Sequence, residues 1–161
     1  MSRPDANSQA SRAREEYARH TDRSTYHGSL DARLARALMD ETAIYSMIGE
    51  EGFIRLVAAF YRQVPGDPIL GKMYPTGELA AAEERLRDFL IYRFGGPQRY
   101  IEQRGHPQLR ARHLPFRIDR AARDNWMRLM NNAFTETALP AEAVQFLRAF
   151  FEQMSLFMIN H

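Results

Sequence analysis

The stretch AEERLRDFLIYRFGGPQRYIEQRGHPQLRARHLPFRI, residues 82–118, decides how this chain is to be read. In its first half Ala82, Leu86, Phe89 and Leu90 recur on one face at helical spacing, joined by Leu79 just upstream, and the face ends at Gly95-Gly96-Pro97. A long amphipathic helix is expected there. Residues 97–104 have room for a short helix, whereas residues 105–115 hold two histidines, two prolines and two arginines and read as mostly irregular. A compact helical domain rarely spends that much chain on a weakly structured connection unless the connection is functional. His113 lies between the cationic LRAR and the apolar LPF, and Pro115 stiffens the chain just after it. On local sequence alone, a histidine beside arginines is most often an ordinary surface residue.

Working outward, the 161 residues fit one domain plus a tail, and a chain of this size buries roughly two thirds of its unfolded surface. The 22 Lys and Arg are interspersed with 20 Asp and Glu, for a net charge of +2, so no like-charge block marks a nucleic-acid face. The absence of cysteine excludes disulfides, thiolate zinc, iron–sulfur clusters, a covalent c-type haem link and a thiol nucleophile. Any metal must be held by His, Tyr or carboxylates. MSRPDANSQASRAREEYARH has no apolar segment of signal or membrane-span length, and no later run approaches the ~20 residues a span needs. A soluble, cytoplasmic protein with no membrane partner is the expectation.

Residues 1 to about 28 are too poor in large apolar groups to offset the entropy of ordering and are expected to be mobile or loosely docked. Leu30, Leu34 and Leu38 behind Ser29, a candidate N-cap, suggest a short amphipathic helix. Residues 1–41 are thus taken as an N-terminal extension and 42–161 as the folded domain. Within it, Thr42 is a candidate cap for AIYSMIG, closed by Gly49, and Phe53, Val57, Phe60, Tyr61 and Val64 line one face up to Pro65. GDPILGKMYPTG carries turn signals. Asp119 suits the cap of a helix bearing Ala122, Trp126, Leu129, Met130 and Ala133, and Pro140 the start of a last helix with Val144, Leu147, Phe151, Met154 and Met158 inward. No window alternates with period two, so the fold class is all-α.

DPILGKMYP (67–75), the quoted stretch 82–118 and RDNWMRLM (123–130) resemble the bacterial group II truncated haemoglobins, small haem proteins built as a two-over-two helical sandwich. The resemblance runs from about Thr42 to Asn160. It implies haem b as cofactor, His113 as the iron ligand, and the loop around it as a shortened proximal segment. It further implies that Tyr61, Tyr74 and Trp126 are hydrogen-bond donors on the distal side, although Tyr61 and Trp126 taken alone are ordinary core residues with a polar tip. Ala82 falls where larger globins commonly carry a distal histidine, and Leu86 lies one turn on; neither side chain can donate. Arg85 and Arg112 resemble partners of the haem propionates, with Tyr100 and His106 at the same edge. Phe89, Phe94, Phe116 and Met130 would pack on the porphyrin faces, beside an equally good reading of each as core.

Three departures from the family pattern stand out: the N-terminal extension, Thr76-Gly77 where acidic residues are common, and Leu114 where a small residue is usual. The function implied is binding of dioxygen and other diatomic ligands. The alternatives are redox turnover at the same haem, as peroxide reduction or reaction of bound oxygen with nitric oxide, fed by a reductase, and a haem-free helical interaction module. A homodimer is compatible with each.

Overall fold

The computed structural model describes residues 24–75 and 77–161, with side chains described from Glu41 onward. The expected mobile segment therefore lies largely outside the described residues, as do the side chains of the Leu30, Leu34 and Leu38 stripe and Thr76. The backbone is helical from Ser24, so Ser29 lies inside a helix and does not cap one. The chain divides between Met39 and Asp40 into two units, and every contact described below belongs to the second, residues 40–161.

All regular structure among the described residues is helical: α1 (Ser24–Tyr61), α2 (Leu79–Arg93), α3 (Arg99–Arg104), α4 (Leu109–His113), α5 (Arg120–Thr137) and α6 (Ala141–Met158). Short 3-10 turns at Val64–Gly66 and Leu70–Lys72 carry the chain from α1 toward α2. Helix α1 is broken at Gly49, whose φ of 62° and ψ of −179° suit glycine, so the expected stop is a kink after which the helix resumes at once. Thr42 lies within the helical run and caps nothing. Beyond the kink Phe53, Leu56, Val57 and Phe60 are wholly buried at helical spacing. Each such side chain contributes roughly 1.5–3 kcal/mol relative to exposure.

The core is a chain of ring contacts that runs through three helices. Phe53 stacks on Phe94 at 5.9 Å, Phe94 meets Phe150 edge-on at 5.0 Å, and Phe150 meets Phe151 at 5.5 Å. From Phe151 the contacts continue to Trp126 (5.2 Å), Phe60 (5.0 Å), Tyr61 (5.1 Å) and Tyr74 (5.7 Å). Such edge-to-face and offset pairs add roughly 0.5–1.5 kcal/mol each beyond area burial. Asp119 caps α5 by accepting the Ala122 N–H at 2.9 Å, and Pro140 directly precedes α6, both as the sequence predicts.

The segment 105–115 differs from its expectation, for it contains the one-turn helix α4. The breakers act upstream of it: Gly105 ends α3 with φ 69°, and Gln108 turns left-handed at φ 43° just before Leu109. LRARH itself consists largely of helix-compatible residues, and contacts from elsewhere hold it.

The corner after α2 has to be glycine. Gly95 takes φ 93°, and a Cβ there would lie 3.2 Å from the Thr42 backbone, while a Cβ on Gly96 would fall 2.8 Å from the Ile91 carbonyl and 2.5 Å from the Tyr45 ring. Arg93, beside this corner, pairs with Glu41 through both guanidinium nitrogens at 2.6 and 2.9 Å. Gly96→Ala should destabilise the protein by about 1–3 kcal/mol in urea unfolding, because the backbone oxygen cannot yield. Gly66→Ala, which meets nothing within 4 Å, should change stability by less than about 0.5 kcal/mol.

Candidate functional site

His113 ends α4 and is half-buried, and its Nδ1 lies 2.6 Å from the carbonyl oxygen of Leu109 one turn earlier. A carbonyl only accepts, so in the neutral ring it is Nδ1 that carries the proton and Nε2 that has the lone pair. The imidazole is thereby set as a neutral donor ligand, with the ring orientation and tautomer that a metal-bound histidine needs. A helix of five residues cannot hold this arrangement alone. Arg112 donates from Nε to the Pro107 carbonyl at 2.9 Å and from Nη2 to that of Arg104 at 3.1 Å, while Arg110 donates to the Phe157 carbonyl and lies over the Phe157 ring. Beyond α4 the amide of Asn160 bonds the backbone of His113, Phe116 and Ile118.

Elsewhere in the fold, Tyr61 at the end of α1, Trp126 on α5 and Tyr74 between them in the chain are joined by ring contacts. Tyr61 is 7% exposed, and its ring meets Tyr74 edge-on at 5.7 Å; Phe60 links Tyr61 to Trp126. Burial pushes the Tyr61 phenol far above its ordinary range, and the adjacent Tyr74 pushes it the same way. Tyr74 is raised by burial too, against the opposing hydrogen bond from Tyr61 and the nearby Arg85 charge. A raised phenol pKa favours the neutral form, so both hydroxyls keep their protons and remain donors. The Trp126 ring is half-buried between Phe60 and Phe151.

Tyr74 owes its place to Asp67, at the head of the turn that leads to it. The buried Asp67 carboxylate accepts the N–H groups of Ile69 (2.9 Å) and Leu70 (2.7 Å) through Oδ1 and Arg128 Nη2 (2.6 Å) through Oδ2. Arg128 stands two residues past Trp126 on α5, so one carboxylate fixes both the Tyr74 turn and its register against the tryptophan helix. Neither Asp67 nor Asn160 was foreseen from sequence. DP before an apolar residue is a readable turn signal, but its partner Arg128 is distant in the chain, and Asn160 bears no local signal.

Ala82 is buried on α2, with Leu86 half-buried one turn on. Arg85, between them, is 3.8 Å from Glu78 and partly exposed, a pairing too loose to occupy its fork. Phe89 is buried and meets Tyr100 at 5.6 Å, and Met130 is wholly buried one turn beyond Trp126. His106 is exposed and lines, with Phe89 and Leu109, a cavity of about 360 Å³ that reaches Phe150 and Met154 of α6. Phe94 sits wholly buried among Phe53, Phe146 and Phe150, the contacts of a core ring. Phe116 and Leu114, on the strap after His113, are 40% and 60% exposed.

Among the described residues no three His or carboxylate groups converge on a metal position. One imidazole with a free Nε2, several neutral hydrogen-bond donors, apolar side chains at Ala82 and Leu86, and an under-used guanidinium fit a flat apolar metal macrocycle that brings its own ligand frame and carboxylates. Haem has those properties.

The family model for bacterial-like globins matches residues 43–160. Group 2 truncated hemoglobin YjbI of Bacillus subtilis is 38% identical over 118 residues, 73% of this chain and 89% of that protein. The chain is a group II truncated haemoglobin. The solved structure of a thermostable hemoglobin from Thermobifida fusca is similar at 46% identity and a TM-score of 0.70, covering 73% of this chain and 96% of that one. The truncated oxygen-avid haemoglobin from Bacillus subtilis matches at 37% identity and a TM-score of 0.69, over 73% of this chain and 98% of that one. As a truncated haemoglobin the chain has the two-over-two helical sandwich and, in general terms, haem-based ligand binding. No described helix is long and apolar enough to cross a membrane.

Replacing Asp67 by Ala should leave two backbone N–H groups unmet and lower stability by about 2–3 kcal/mol in urea unfolding. Arg128→Ala, which leaves Oδ2 of the buried Asp67 carboxylate without its cation, should lower it by about 1–3 kcal/mol.

Proposed function

We propose that this truncated haemoglobin carries haem b and binds dioxygen and other diatomic ligands, with His113 as the iron ligand and Tyr61, Tyr74 and Trp126 as donors on the opposite face. The single observation that most supports it is the 2.6 Å contact of His113 Nδ1 with the Leu109 carbonyl, which prepares Nε2 as a neutral donor. When bound, haem supplies an iron that takes one nitrogen from the protein and leaves one position for a small ligand.

The chain's own groups then have distinct tasks. His113 holds the iron side. Tyr61, Tyr74 and Trp126 place O–H and N–H donors where a diatomic ligand gains negative charge, in a buried setting that strengthens each bond. Ala82 and Leu86 cannot donate, and the small Ala82 leaves room for ligand to pass. Arg85 suits a propionate through its loosely engaged fork, and Arg112 retains N–H groups beyond the two given to backbone carbonyls. Tyr100 and His106 border that edge, and Phe89 and Phe116 offer apolar surface to the macrocycle. Phe94 and Met130, both wholly buried, support them from the core.

His113→Ala should yield a folded protein that loses haem readily, with free imidazole restoring the spectrum; full haem retention with an unchanged spectrum would remove His113 from the site. Trp126→Phe keeps the aromatic bulk and deletes one donor. A hydrogen bond to a charged group is worth roughly 1.5–3 kcal/mol, so oxygen release should accelerate roughly ten- to a hundredfold, and carbon monoxide release much less. Equal acceleration of both gases would make Trp126 a steric wall.

A further inference from the structure

The strap that follows His113 is held from outside by one side chain. Asn160, two residues past the end of α6, donates from Nδ2 to the carbonyls of Phe116 (3.0 Å) and His113 (3.3 Å), and its Oδ1 accepts the Ile118 N–H at 3.0 Å. Two backbone bonds reinforce it: the N–H groups of Asn160 and His161 donate to the Ile118 carbonyl at 3.0 and 3.3 Å. His161 Nδ1 also lies 2.8 Å from Asn160 Oδ1. The pattern of one N–H and two carbonyls fixes which way the amide faces. Only a group with a donor end and an acceptor end meets it, and a carboxylate of the same size would turn lone pairs on both carbonyls.

His113 closes α4, and its carbonyl, in the last turn of the helix, accepts the Phe116 N–H of the strap at 3.1 Å. Asn160 Nδ2 adds a second bond to the same oxygen at 3.3 Å, from outside the strap. The same residue is therefore fixed twice, at its ring by Leu109 within α4 and at its backbone by a residue that follows α6. The ring bond sets how the imidazole is turned about its own axis and which nitrogen is free. The backbone bond sets the peptide from which the side chain departs, and hence its tilt.

We propose that Asn160 is a positioning residue for His113, fixing the tilt of the imidazole toward a bound haem iron and so the strength of the iron–histidine bond. This role rests on the haem-binding function proposed above. Without the amide, the end of α4 keeps only the strap's own backbone bonds, from Phe116 to His113 and from Leu114 to Ala111, and the imidazole samples several tilts.

The test is the resonance Raman band of the iron–histidine stretch in the full-length, haem-loaded, reduced protein without gas. The wild-type chain should show one narrow band. Asn160→Ala should lower its frequency or split it, and Asn160→Asp, which keeps size and the Ile118 acceptor, should do the same and serves should Asn160→Ala fail to fold. The control is the His113→Gly background loaded with free imidazole, where the ligand is no longer tied to the backbone and Asn160→Asp should leave the iron–imidazole band in place. An unchanged band in a folded Asn160 variant, or an equal shift in the imidazole-rescued background, would overturn the role. A wild-type protein that binds haem but shows no histidine band would overturn the assignment of His113 itself, and this role with it.

Discussion

The hydrogen bond from His113 Nδ1 to the Leu109 carbonyl is the interaction on which the site depends. It settles the tautomer, so that the free lone pair is on Nε2, and it spans one turn of a helix only five residues long. So short a helix forms because its ends are tied elsewhere: Arg112 to the carbonyls before it, Arg110 to the end of α6, Asn160 to the strap after it. The many arginines of this stretch thereby gain a structural meaning in addition to the cationic edge they offer. Left-handed Gln108 marks the strain accepted in fitting a turn of helix between Pro107 and Pro115, of the order of 1 kcal/mol.

The cluster of Tyr61, Tyr74 and Trp126 obeys a different constraint. Its polar groups lie at the end of an aromatic core, where burial keeps the Tyr61 and Tyr74 phenols neutral. A phenol that stays protonated donates, and in a low-dielectric setting that donation is strong. Precision comes from outside the aromatic cluster. Asp67 pins the turn leading to Tyr74 and, through Arg128, sets it against the helix that bears Trp126.

Much of the fold was legible in the sequence because its long helices carry apolar residues at helical spacing and end at glycine or proline. Leu79 to Leu90 on α2, the Asp119 cap and Pro140 were all readable locally, and the Gly49 stop was read correctly as a break though not as a kink. Thr42 and Ser29 failed as caps because a favourable cap residue is only an opportunity, and here the helix runs through both. Helix α4 was missed since its stability comes from contacts distant in sequence. Of the candidate site, the histidine, the tyrosines and the tryptophan are assigned through the family resemblance, not through periodicity, which marks Tyr61 and Trp126 only as core. Asp67 and Asn160 escaped because their roles lie in the backbone groups they bind, which leave no trace in a pattern of side chains.

The most direct measurement of the central claim is the visible absorption spectrum of the haem-loaded protein, reduced under inert gas and then opened to air. A five-coordinate ferrous spectrum that converts to a long-lived oxygenated form is the predicted result, because the proposed site offers iron one histidine nitrogen and a bound ligand several neutral donors. No stoichiometric uptake of haem, or a ferrous spectrum already six-coordinate before any gas is admitted, would contradict the account.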